Sequence, residues 1–279
     1  MTWKTTQKDV LDRFYTHSDV AQGCVEAFIS NYGRNHTFIE PSAGSGVFVE
    51  ALRKFQCECV GYDIEPEHPE VIRQDTLLLT LTKRKDYVVI GNPPYGKNGE
   101  LIKRFTDWCV DNDVATIAFI LPKTYLKASR QKSIPRQYKL LLSKPLKEFA
   151  FSINGKPYHV PAVFQVWSKS ITGKDLRNNG EVPENNLFTF CKKDVADGYI
   201  MGAAPSKVKL PDEVLPNNRG YWIKLKEGVD MGDVKAIMES IKWKHLGLSS
   251  VSGGVSWYDK QQISKVVNQH EQQHFSNQL

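Results

Sequence analysis

Asp86-Tyr87-Val88-Val89-Ile90-Gly91-Asn92-Pro93-Pro94-Tyr95-Gly96 brings an apolar, β-favouring run to an abrupt stop. The run Tyr87 to Ile90 reads as a buried parallel strand, because both faces of such a strand are covered and its sequence does not alternate. Proline has no N–H to give a ladder, so two in succession end the strand at Asn92 and make a stiff turn. In open α/β sheets the carboxyl end of a strand is where ligands bind. This turn displays one amide side chain, peptide carbonyls and one aromatic ring, the groups needed to hold a flat base by its exocyclic amine.

Upstream, Thr37-Phe38-Ile39-Glu40 reads as a strand that enters the small-residue turn Pro41-Ser42-Ala43-Gly44-Ser45-Gly46 and then a helix from Val47. Gly44 and Gly46 let the backbone approach a ligand, and a helix N-terminus offers free N–H groups. Position 49 is Val, so the turn lacks the dinucleotide glycine spacing and a nicotinamide cofactor is disfavoured. The next strand, Cys57 to Ile64, carries Asp63 about 20 residues after the glycine turn, where a carboxylate accepts from ribose hydroxyls. Val71-Ile72-Arg73-Gln74-Asp75 places a second acid at a strand end, suited to accept from an adenine amino group. Either acid alone is an ordinary loop residue; their order after a glycine turn is what signifies.

At the N-terminal side, Arg13-Phe14-Tyr15-Thr16-His17-Ser18 precedes a helix with Val20, Cys24 and Phe28 at helical spacing, and Thr16 or Ser18 could cap it. Downstream of the double proline, an amphipathic helix begins at Asn98 or Gly99 and buries Leu101, Ile102, Phe105, Trp108 and Cys109. A strand over 115–122 follows. Residues 148–153 and 160–167 then read as two antiparallel strands around the hairpin signal Asn154-Gly155. A βα series closed by a hairpin is a specific topology.

Net charge is +6 at pH 7. From Ile171 on, 14 basic residues meet 13 acidic ones, so the first 170 residues carry most of the excess. Lys123, Lys127, Arg130, Lys132, Arg136, Lys139, Lys144 and Lys147 follow one another with no intervening acid. Such a run is ordinarily a solvated face; beside a nucleotide-like site it is a candidate phosphate track. The chain of 279 residues is 41% hydrophobic and 24% charged, the composition of a globular protein. Its five cysteines lack paired C-x-x-C spacing, which disfavours a disulfide framework or structural zinc, and no metal-ligand cluster stands out. No apolar run reaches membrane-span length and Met1-Thr2-Trp3-Lys4-Thr5-Thr6 lacks a signal-peptide core, so an intracellular, cytoplasmic protein is expected. The polar stretch 171–186 is the candidate boundary between a first region, 1–170, and a C-terminal region, 171–279. That second region reads as mixed α/β, with strands at 187–190 and 221–225, a helix around Val234 to Ile241 and a flexible segment over 249–258.

The ordered set resembles the S-adenosylmethionine-dependent N6-adenine DNA methyltransferases whose cofactor motifs precede the catalytic motif. The resemblance covers roughly residues 13–168. Glu40-Pro41-Ser42-Ala43-Gly44-Ser45-Gly46-Val47-Phe48 is similar to the first cofactor motif and Asn92-Pro93-Pro94-Tyr95 to the catalytic motif. Phe14-Tyr15-Thr16 is similar to the Tyr-Thr-Pro cofactor element, with His17 in place of the proline. The resemblance implies a Rossmann-like class I α/β sheet of seven strands with an antiparallel terminal hairpin. It implies methyl transfer to the N6 amino group of adenine on a flipped-out base, with Asn92, Pro93, Pro94 and Tyr95 as the catalytic set. Cofactor contacts would come from Tyr15, Thr16, Glu40, Ser42, Ala43, Gly44, Gly46, Asp63, Ile64, Asp75 and Asn92. Phe151 or Tyr158 would add a second aromatic against the base. Lys123, Lys127, Arg130 and Lys132 would follow the phosphates, and no metal is implied. DNA is the expected partner, duplex or single-stranded, in a restriction-modification setting, and residues 171–279 would be a target-recognition or accessory region. RNA adenine, cytosine N4 and protein glutamine are the alternative substrates, and a non-catalytic nucleic-acid-binding subunit is the alternative class.

Overall fold

The computed structural model describes residues 14–82, 86–153, 155–243, 250–252 and 255–276, those at 250–252, 255–256 and 272–276 by their backbone alone. Met1 to Thr6, Arg13, Asn154, Ser249, Gly253 and Gly254 lie outside the described residues. The chain divides into two units, one ending at Asn178 and one beginning at Asn179, inside the polar stretch 171–186.

The first unit contains β1 (Tyr15–Thr16), α1 (Ser18–Tyr32), β2 (Thr37–Glu40), α2 (Val47–Lys54), β3 (Glu58–Asp63), β4 (Val71–Arg73), β5 (Tyr87–Gly91) and α3 (Glu100–Asp111). It continues through β6 (Thr116–Pro122), α4 (Ala128–Gln131), β7 (Lys139–Pro145), β8 (Phe151–Ile153), β9 (Lys156–Tyr158) and β10 (Ala162–Ser168). Seven strands form one sheet in the order β4-β3-β2-β5-β6-β10-β7. Adjacent strands from β4 to β6 run parallel, and β10 is antiparallel to both β6 and β7. This is a Rossmann-like α/β fold, in which the order reverses between β2 and β5 and opens a crevice at their carboxyl ends.

Burial explains the order. Val88, Val89 and Ile90 are fully buried at the centre of the sheet, each worth roughly 1.5–3 kcal/mol of transfer free energy. Their side chains alternate between two cores: Val88 and Ile90 join Phe28, Phe38, Phe48 and Leu52 on one face. Val89 joins Phe105, Trp108, Phe119 and Trp167 on the other. The continuous apolar spelling of β5 therefore reflects cover on both sides.

The sequence reading differs from the structure in its last strands. Phe151–Ile153 does not pair with Ala162–Ser168. It turns back on Lys156–Tyr158 and on Tyr15–Thr16, making a separate three-stranded sheet in the order β1-β8-β9. The terminal antiparallel partner of β10 is β7, which lies within the basic run. Lys139, Lys144 and Pro145 decorate an edge strand there while Leu140 is buried; lysine and proline on an edge discourage further pairing. The expected Thr16 or Ser18 cap of α1 is not made either. His17 sits at the N-cap with no side-chain bond, and Thr16 is committed to β1. Leu101, read as core, is only half-buried.

The second unit has a four-stranded antiparallel sheet, order β11-β14-β12-β13, from β11 (Phe188–Phe190), β12 (Gly198–Met201), β13 (Val208–Lys209) and β14 (Gly220–Leu225). Helix α5 (Met231–Ser240), the ribbon of β15 (Ser250–Ser252) and β16 (Val255–Trp257), and α6 (Lys260–Ser276) complete it. Phe188, Ile200 and Ile223 of the sheet pack with Val234 and Met238 of α5 and with Ile263 and Val267 of α6. Asp230 caps α5 through the Asp233 N–H at 2.8 Å.

Candidate functional site

Two turns at the sheet centre meet where the strand order reverses. At the end of β2, Glu40 is 2% exposed, and its Oε2 accepts the Val49 N–H of α2 at 3.2 Å. A carboxylate in the first turn of a helix complements the partial positive charge of its free N–H groups. Burial nevertheless raises the Glu40 carboxyl well above its usual range, against the lowering effect of the Val49 bond, and Asp63 adds repulsion. Gly46 takes φ +78° at the N-cap of α2, and a Cβ there would come within 2.6 Å of the His68 ring. Only glycine suits both the left-handed conformation and that contact.

The turn is tied to the ends of β3 and β4. Asp63 uses both carboxylate oxygens on backbone, Oδ2 accepting the Gly44 N–H and Oδ1 the Glu65 N–H, each at 2.8 Å. Asp75 caps the short 3-10 turn Thr76–Leu78 by accepting the Leu77 N–H at 3.0 Å. Thr76 donates to the Pro41 carbonyl at 2.7 Å, closing the loop under the glycine turn. The Tyr15 hydroxyl donates to Glu67.

After β5, Gly91 passes so close to Glu40 that a Cβ would sit 3.2 Å from its Cγ. The Asn92 amide then donates through Nδ2 to the Phe14 carbonyl at 3.2 Å. A carbonyl can only accept, so this bond directs the amide nitrogen to Phe14 and leaves Oδ1 as the other end. Asn92 Oδ1 is buried and has no hydrogen-bond partner among the described residues. A buried acceptor left unsatisfied costs roughly 1–3 kcal/mol; this one sits at the head of the double-proline turn.

A cavity of about 290 Å³ joins these turns. Of the residues singled out in the sequence, Tyr15, Ser42, Gly44, Asp63, Ile64, Asp75, Asn92, Pro93 and Pro94 line it. Thr16, Glu40, Ala43, Gly46 and Tyr95 are not on its wall; they are buried around it. Phe151 is fully buried in one of the two cores, whereas Tyr158 is 45% exposed. The wall also includes Phe14, Gln74, Leu77, Leu101, Arg104 and Phe105, which sequence reasoning did not assign to the site. Leu101 and Phe105 stand one helical turn apart directly after the double-proline turn. That i, i+4 pair on a helix leaving a ligand-side loop was the signal to use.

The basic residues divide by surroundings. Burial lowers the Lys123 ammonium below its usual range. Arg130 donates to the Asn98 carbonyl at 2.8 Å and so braces the loop that follows Tyr95. Lys132 is exposed, and Lys147 is bonded to Asp19. Among the described residues no group of His, Cys, Asp and Glu could hold a metal ion, and no helix is long and apolar enough to cross a membrane.

The acceptor set fits a nucleoside: carboxylates Asp63 and Asp75 stand on the wall with the apolar residues Ile64, Leu77 and Phe105. The cavity reaches the Asn92-Pro93-Pro94 turn.

A scan against protein-family models finds no match, and a search of curated proteins finds none. Solved structures do align with the chain. A chain of a type I restriction-modification system is 19% identical over 56% of this chain and 42% of its own, with a TM-score of 0.43. The M protein of the type I restriction enzyme EcoKI is 13% identical over 62% and 47%, with a TM-score of 0.42. A candidate RNA methyltransferase from Pyrococcus horikoshii is 14% identical over 60% and 91%, with a TM-score of 0.47. The chain therefore spans less than half the length of the two restriction-modification proteins.

Proposed function

We propose that the chain transfers a methyl group from S-adenosylmethionine to the N6 amino group of adenine in DNA. The observation that carries this reading is the buried, unpartnered Oδ1 of Asn92 at the edge of the cavity. The exocyclic amine of adenine is a poor nucleophile because its lone pair is delocalised into the ring. Asn92 Oδ1 and the Pro93 carbonyl would accept its two hydrogens, favour a pyramidal nitrogen and aim its lone pair. This is catalysis by orientation and preorganised dipoles, with no strong base. When bound, the cofactor would supply an electrophilic methyl group on a sulfonium sulfur; the nitrogen lone pair would take the methyl, the sulfur would keep the C–S electron pair as a neutral thioether, and the methylated nitrogen would release one proton to solvent.

The chain's own residues set the stage. Asp63, with both oxygens already engaged by backbone, keeps further lone pairs for hydroxyl donors. Asp75 keeps its remaining acceptor positions for an amino group, and Tyr15, Ser42 and Gly44 also line the cavity. Adenine in a duplex would have to be flipped out to reach Asn92, at a cost of a few kcal/mol. Tyr95 and Tyr158 are the aromatics for it to stack on. Lys127 and Lys132 are the proposed phosphate contacts, and residues 179–279 the proposed target-recognition unit. The test is Asn92→Ala: methyl transfer to DNA should be lost while the variant still binds S-adenosylmethionine, and wild-type turnover in that variant would reject the assignment.

A further inference from the structure

Tyr95 closes the amine-holding turn, yet the residue is 8% exposed and is not on the cavity wall. Phe14, by contrast, is among the residues that line the cavity. Its ring centroid is 5.8 Å from that of Tyr95, with the planes inclined by 32°. The same ring lies 5.7 Å from Tyr158 at 25°, and meets Phe151 nearly edge-on at 6.4 Å. One aromatic ring, tilted against Tyr95 and stacked on Tyr158, thus already rests against both tyrosines that the function above gives to the base. Aromatic rings stack offset at centroid separations of 4.5–7 Å, so an incoming base and the Phe14 ring compete for the same faces.

We propose that Phe14 is an internal occupant of the base site, and that a purine base stacks on Tyr95 only when the Phe14 side chain turns away. This rests on the proposed function of the site. The backbone at Phe14 is held. Its carbonyl accepts from Asn92, Tyr15 and Thr16 pair with Ser152 and Phe151, and the His17 N–H donates to Ala150 at 3.0 Å. The movement therefore belongs to the side chain, and truncating the ring leaves the carbonyl that orients Asn92 in place. Occupancy by Phe14 acts on affinity: apparent dissociation constants rise by the inverse of the fraction of molecules with the ring withdrawn. If that fraction is about one in ten, removing the ring tightens base binding about tenfold.

The experiment titrates 2-aminopurine riboside, followed by its fluorescence, against the full chain as wild type, Phe14→Ala, Phe14→Leu and Phe14→Trp. Thermal melting identifies any variant that fails to fold, and Phe14→Leu retains apolar packing should Phe14→Ala melt early. Affinity in the order Ala or Leu above Phe above Trp supports the inference. Weaker binding on truncation makes Phe14 a wall of the site and overturns it, as does equal binding by all four or binding by none. Methyl transfer to DNA by the wild type is measured alongside. Transfer with a flat or reversed affinity order rejects the role of Phe14 alone, whereas absent transfer rejects the underlying function and this inference with it.

Discussion

Replacing Asn92 with alanine should separate stability from activity. The side chain makes one described hydrogen bond, Nδ2 to the Phe14 carbonyl at 3.2 Å, a neutral bond worth about 0.5–1.5 kcal/mol net. It also carries the buried, unpartnered Oδ1, whose desolvation costs about 1–3 kcal/mol. Removing both leaves a balance centred on a gain of about 1 kcal/mol, which corresponds to a rise in Tm of about 2–4 °C for a unit of 150–250 residues. Methyl transfer should fall by about 10²–10³-fold, the loss seen when one preorganised hydrogen-bonding group is taken from a reacting centre. Thermal melting of the unliganded protein reads the first quantity, and single-turnover transfer from labelled S-adenosylmethionine the second. A stability loss above about 1.5 kcal/mol would exceed the whole value of the Phe14 bond. It would mean that Oδ1 is satisfied in solution and serves the fold.

Three further perturbations follow. Because burial holds the Glu40 carboxyl above its usual range, the folded state binds a proton that the unfolded state has released. The wild type therefore loses stability as pH rises from the ordinary carboxylate range towards the raised folded value. Glu40→Gln removes that titration, so its Tm should gain on the wild type across this window; a constant difference between pH 4 and 8 would contradict the reasoning. Gly46→Ala puts a Cβ 2.6 Å from the His68 ring at φ +78°. The left-handed conformation alone costs about 1–2 kcal/mol, so a variant that melts like wild type in calorimetry would refute the described turn. Neutralising Lys127 and Lys132 together should weaken DNA binding and reduce the slope of log K against log salt by at most about two phosphate contacts. Unchanged binding in a salt titration would return that run to a solvated face.

Local grammar exposed the central strands. The apolar run Tyr87 to Ile90, the stop at Pro93 and the glycine turn after Glu40 are each set by residues adjacent in sequence, and the structure places them together at the strand-order reversal. Long-range pairing was harder to read. Nothing within 148–167 says whether Phe151–Ile153 pairs with Ala162–Ser168 or with the distant Tyr15–Thr16, because strand partners are chosen by packing across the whole sheet. The basic spelling of 123–147 hid β7, since an edge strand can carry lysines on its exposed side. In the cavity, short polar residues at strand ends were legible as acceptors. Phe14 and Phe105 were not, because an aromatic on a cavity wall and one in a core have the same sequence signature. Glu40 stands at the motif position that suggested a ligand contact, and its described partner is the Val49 N–H at the start of α2.

The most direct measurement of the central claim is the chemical identity of the methylated product. The full chain is incubated with labelled S-adenosylmethionine and DNA of mixed sequence, and the recovered DNA is digested to nucleosides and separated. The account predicts label in N6-methyl-2′-deoxyadenosine, lost in Asn92→Ala. Label in a methylated cytosine, or none in DNA with transfer to RNA or protein in parallel reactions, would contradict it.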